Sequence, residues 1–102
     1  MCAVKAVGDL SRSGMRAFEE GRIENADFLL HQALMRARSL NSPVLEAKIL
    51  NNIGLVAALS GREGKARETL RQALGRLEQK VREGKLHSII SGNLSSLPAE
   101  CP

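Results

Sequence analysis

Apolar residues along this chain recur at intervals of three and four, with polar and charged residues filling the positions between them. Residues 23–40 show the pattern clearly, with Ile23, Ala26, Leu30, Ala33, Leu34 and Ala37 on one stripe. That period belongs to an α-helix with one buried face, whereas a half-buried strand would alternate. The spacing predicts helices over about 3–20, 23–40, 43–60, 63–83 and 86–97. Gly21, Gly61 and Gly84 stand where helices should stop, because glycine adopts the left-handed conformation without a Cβ clash. Ser42 followed by Pro43 is a start signal: the hydroxyl can cap free N–H groups, and proline suits the first helical position.

Shifted by 40 residues, the chain matches itself. Val4 pairs with Val44, Leu10 with Leu50, Gly14 with Gly54, Ala17 with Ala57, Gly21 with Gly61 and Arg22 with Arg62. The register continues through Ala26/Ala66, Leu30/Leu70, Gln32/Gln72, Ala33/Ala73, Leu34/Leu74 and Arg36/Arg76. Such a period means stacked pairs of helices. The small residues are placed where paired helices approach closely: Gly14 is expected opposite Ala33, Gly54 opposite Ala73, and Leu30 and Leu70 in the wedge between the axes. The fold expected is all-α, a single domain over 1–102 of antiparallel helical hairpins (an α-solenoid). It comprises repeat one at about 3–40, repeat two at about 43–83 and a capping helix at about 86–97. In the capping helix Leu86, Ile89, Ile90, Leu94 and Leu97 form an apolar stripe, and Lys85, His87, Ser88, Ser91, Asn93 and Ser95 are expected to face away. A helix of that kind seals the end of a stack.

The run from Gly14 to Gly21, Ala26, Leu30 and Ala33–Leu34, repeated from Gly54, resembles the tetratricopeptide repeat family in its longer-period form. The resemblance covers about residues 4–83. Armadillo-type repeats have a similar period but do not ask for glycine and alanine at these offsets. The chain departs from the family pattern where Leu10, Leu50, Ala17 and Ala57 replace large aromatics, and where Ser13 replaces a leucine.

The resemblance implies a concave groove lined by the first helix of each pair, in which an asparagine placed as Asn52 hydrogen-bonds the backbone of a bound peptide. Carried over, the groove comprises Ser11, Arg12, Met15, Phe18 and Glu19 from the first helix. The third helix adds Lys48, Asn51, Asn52, Leu55 and Leu59, and the fifth adds Asn93. Family members that grip a terminal carboxylate use lysine and asparagine where Ser11 and Met15 stand here. The apolar Met15, Phe18, Leu55 and Leu59 point instead to an apolar segment or a partner helix laid in the groove.

Composition sharpens the fold and narrows the chemistry. Phe18 and Phe28 are the only aromatic residues, so alanine and leucine must build the core, which suits close helix packing over a sheet. The net charge of +4 arises from arginine and lysine interspersed with acids. Mixed signs at helical spacing read as a solvated face, and without aromatic stacking residues a nucleic-acid partner is the weaker alternative. Cys2 and Cys101 lie at opposite ends and form no metal pattern. No apolar run reaches the roughly 18 residues of a membrane span, and none near Met1 resembles a secretory signal, so a cytoplasmic location is expected. His31 and His87 are isolated, Glu19 and Glu20 point in different directions, and the glycines follow neither phosphate-binding pattern. A non-enzymatic protein without metal or cofactor follows as the expectation.

One face differs between the repeats. Phe28, His31 and Met35 stand at i, i+3 and i+7 where repeat two has Glu68, Arg71 and Gly75. An apolar stripe of this kind calls for a cover. A homodimer contact is the first expectation, and burial beneath residues 1–5 is the alternative. The function expected is a protein-interaction module for a peptide or partner helix, serving as an adaptor, scaffold or chaperone-like holder. A pure oligomerisation module is a further alternative.

Overall fold

The structure is a computed structural model that describes residues 2–77 and 84–98. The described residues form five helices: α1 (Cys2–Glu19), α2 (Ile23–Ser39), α3 (Pro43–Leu59), α4 (Glu63–Gly75) and α5 (Lys85–Ser95), with no strand among them. Consecutive helices pack against one another, α1 on α2 and α3 on α4 most extensively, and α2 also lies against α3. The odd-numbered helices touch side by side, α1 with α3 and α3 with α5. The molecule measures 45 × 36 × 19 Å, and its least dimension is about two helix diameters, as expected of two layers.

The turns follow from the residues that make them. Gly21 and Gly61 both take φ +80°, and in each case the chain closes the preceding helix identically. Gly21 N–H donates to Phe18 and Arg22 N–H to Ala17, both at 2.9 Å; Gly61 and Arg62 repeat this with Ala58 and Ala57. These are the paired bonds that satisfy a helix's last carbonyls when a left-handed residue follows. Between α2 and α3, Asn41 supplies the left-handed residue at φ 52°, and Ser42 then caps α3 by accepting the Leu45 N–H.

Two details depart from the expected packing. The nearest side chains to the glycines are the wedge leucines Leu30 and Leu70, where Ala33 and Ala73 were expected: a Cβ on Gly14 would lie 2.9 Å from Leu30 Cγ, and one on Gly54 would lie 2.8 Å from both Cγ and Cδ2 of Leu70. The missing side chain therefore makes room for a leucine, and both leucines are fully buried. Each is worth about 1.5 to 3 kcal/mol of transfer free energy. The second departure is the length of α4. It ends at Gly75: Arg76 N–H is shared between Gln72 and Ala73, Leu77 N–H donates to Leu74 at 3.2 Å, and the Leu77 side chain is buried in the core. Residues 78–83 of the longer helix expected there lie outside the described residues, and Gly84 precedes α5 in extended backbone.

The duplicated helices α1 and α3 differ in what they bury. Ile49, Ile53 and Val56 are 3%, 3% and 0% exposed, whereas Asp9, Ser13 and Arg16 hold the same repeat positions on α1 and are exposed. The face that α3 turns into the stack is thus solvated on α1. At the other end α5 buries Ile90 fully, half-buries Leu86 and Leu94 against the core and leaves Ile89 44% exposed, and Leu97 just beyond it is half-buried as well. Glu46 is a buried carboxylate at the start of α3. Arg76 donates to it from Nε at 3.0 Å and Nη2 at 3.2 Å, and Arg38 from Nε at 3.5 Å, which ties α2, α3 and α4 at one corner.

Candidate functional site

The asparagines single out the face formed by α1, α3 and α5. Asn52 Nδ2 on α3 donates to Ser11 Oγ on α1 at 2.8 Å, and Asn93 Nδ2 on α5 donates to Asn51 Oδ1 on α3 at 2.8 Å. Ser11 and Asn51 are equivalent positions 40 residues apart, so one polar contact is made twice along the row. Both acceptors are buried, each 8% exposed. Among the described residues no buried side-chain nitrogen or oxygen lacks a partner, which is how polar groups survive between packed helices.

These contacts reassign two expected groove residues and engage a third. Asn51 lies within the helix row, and Asn93 turns toward it instead of facing away. Asn52 is committed through one N–H to Ser11, which leaves a carbonyl and a second N–H on a residue that lines the hollows beside it. Around Ser11 and Asn52 two hollows adjoin. One, of about 310 Å³, is lined by Arg12, Met15, Arg16 and Glu19 as well as the central pair. The other, of about 420 Å³, runs toward the start of α1 and α3 between Val4, Lys5, Gly8 and Arg12 on one side and Leu45, Lys48 and Ile49 on the other.

Of the residues expected in a groove, the hollows therefore gather Ser11, Arg12, Met15, Glu19, Lys48 and Asn52. Phe18 packs half-buried against the core, Leu55 is half-buried, and Leu59 is 70% exposed at the end of α3; none of these three lines either hollow. Lys5 and Gly8, absent from the expected set, sit seven and four residues before Arg12. That is the same helical face carried toward the start of α1, a periodicity visible in the sequence.

The rim of this groove is basic. Lys5 and Arg12 both reach Asp9, the former at 2.9 Å, while Arg16 and Lys48 have no ion-pair partner among the described residues. Hydrogen bonds from Lys5 and then Arg12, with their charges, hold the Asp9 carboxyl below its ordinary pKa.

On the other layer, Phe28 and Met35 are each 64% exposed and His31 is exposed, its Nδ1–H donating to the Asp27 carbonyl at 2.8 Å. Residues 2–5 do not cover this stripe: they belong to α1, with Val4 itself 52% exposed. The cover expected from that segment is thus not made. No group of three or more histidine, cysteine, aspartate or glutamate side chains is gathered as for a metal ion among the described residues, and no described helix is long and apolar enough to cross a membrane. Comparison with protein-family models, with curated proteins and with solved structures gives no match to this chain.

Proposed function

We propose that the chain is a non-catalytic protein-interaction module of the tetratricopeptide type, which holds a peptide or partner helix in the groove between α1 and α3. The observation that carries the reading is the pair of adjoining hollows that share Ser11, Arg12 and Asn52. Their apolar walls, Val4, Met15, Leu45 and Ile49, lie beneath a rim of Lys5, Arg12, Arg16 and Lys48. That arrangement suits an apolar segment flanked by carboxylates, with the free amide groups of Asn52 placed for its backbone. The role is that of an adaptor, scaffold or chaperone-like holder.

Selection of a random peptide library on the intact chain tests this. Enriched peptides should pair acidic with apolar residues, and the best binder should weaken about tenfold or more against Arg12→Glu with Lys48→Glu. Its affinity should fall only modestly with salt, whereas a nucleic acid would be lost steeply. A library that yields no binder, or binders indifferent to the double variant, overturns the groove reading.

A further inference from the structure

Repeat two shows how one end of a helix pair is filled. Arg62, at the start of α4, reaches back to Asp27 on α2 with both arms of its guanidinium, Nη1 to Oδ2 at 3.1 Å and Nη2 to Oδ1 at 3.3 Å. Both side chains are shielded, 35% and 26% exposed. Arg22 holds the same place at the start of α2, 40 residues earlier. Among the described residues no helix brings it a carboxylate, and it folds over to Glu20 within its own turn, where both are half exposed. Beside Arg22 lies a hollow of about 370 Å³ with Ala17, Phe28 and Leu29 as apolar walls and Arg16 at its edge.

We propose that this hollow is a docking slot for an acidic amphipathic helix of another protein. The helix sets a carboxylate on Arg22 and apolar side chains on Phe28 and Leu29, as α2 does with Asp27 on Arg62. The partner's chemistry follows from the charges. Arg16 and Arg22 line the slot, Arg22 is paired among the described residues with the exposed Glu20, and the internal counterpart is satisfied by an aspartate. A second copy stacked end to end fits poorly, because the far end of the stack is closed by α5, whose residues 85–95 include no aspartate or glutamate to set on Arg22. Asp9, Ser13 and Arg16 replace the buried Ile49, Ile53 and Val56, so the dock offers less apolar area than the internal interface and is reversible. Arg16 borders both the slot and the α1–α3 groove, which are otherwise lined by different residues, so variants at Arg22 test the one and variants at Arg12 and Lys48 the other.

The probe is a fluorescent peptide of residues 22–40 of this chain with Arg36→Glu and Arg38→Glu, which keeps Asp27 and makes the segment acidic, held helical by a lactam bridge on its solvent side. Anisotropy should show saturable binding to the intact chain with a Kd below about 100 µM. Arg22→Ala in the chain, or Asp27→Lys in the peptide, should weaken it about tenfold or more, and Arg22→Glu should restore binding of the Asp27→Lys peptide. Arg22 is exposed, so these variants leave the fold intact. Absence of saturable binding, or binding indifferent to Arg22, overturns the proposal. Binding lost in Arg12→Glu with Lys48→Glu instead would place the peptide in the groove and also overturn it. A wild-type dimer in sedimentation that Phe28→Glu dissolves would assign the slot to a second copy, with the same result.

Discussion

Gly54 and Gly92 are both helical glycines, yet their neighbourhoods set opposite consequences for an added methyl group. At Gly54 the new Cβ would press on Leu70 Cγ, a branch point at the centre of a fully buried side chain that has nowhere to move. Overpacking outweighs the better helix propensity of alanine, so Gly54→Ala should destabilise by about 1 to 2 kcal/mol net. At Gly92 nothing lies within 4 Å of the added atom. There propensity alone acts, and Gly92→Ala should stabilise by about 0.5 to 1 kcal/mol. Urea titrations decide both, and repeating Gly54→Ala in a Leu70→Ala background locates the clash. Its penalty should vanish there; an undiminished penalty would place the strain elsewhere.

Between elements, polar contacts accompany the apolar core that joins the helix pairs: Asn52 to Ser11 and Asn93 to Asn51, in register, and Arg62 to Asp27. Removing both members of the Ser11–Asn52 pair should be less damaging than the sum of the single changes, with a coupling of about 0.5 to 1.5 kcal/mol in a double-mutant cycle. Additive losses would mean that the two side chains are satisfied by water instead. The prominence of Asn51 and Asn52 inside an apolar helix was legible from the sequence, because asparagine there works against helix propensity. Which partner they hold was not legible. A side-chain amide serves a bound backbone and a neighbouring helix equally well, and the choice depends on how closely α1 approaches α3. The end of α4 at Gly75 was not legible either, since Arg76 and Leu77 continue the helix-compatible composition; Leu77 is buried in the core.

For the whole molecule, the contrast between α1 and α3 separates an interior helix from a flanking one. Val56→Arg should lower stability by about 3 kcal/mol or more, since it forces an unpaired charge into a fully buried position. The reverse change at the equivalent site, Arg16→Val, should stay within about 0.5 kcal/mol, because that position is already in water. Thermal unfolding of the two variants checks this, and equal losses would mean that α1 is packed on that face as tightly as α3.

Periodicity, glycine placement and the 40-residue register in the sequence by themselves determined the five helices, the turns at Gly21 and Gly61 and the all-α class, because these depend on local backbone sterics and on which face must leave water. The repeat also marked Gly14 and Gly54 as sites of close approach. Only the tertiary structure decided what approaches: Leu30 and Leu70, set by the relative rotation of the helices, which no local pattern encodes. It likewise decided that Asn51 and Asn93 meet each other, that Lys5 and Gly8 join the groove, and that Phe28 and Met35 stay bare. Each of these turns on distances between residues remote in the chain, and those distances are fixed by how whole helices fill the space against one another.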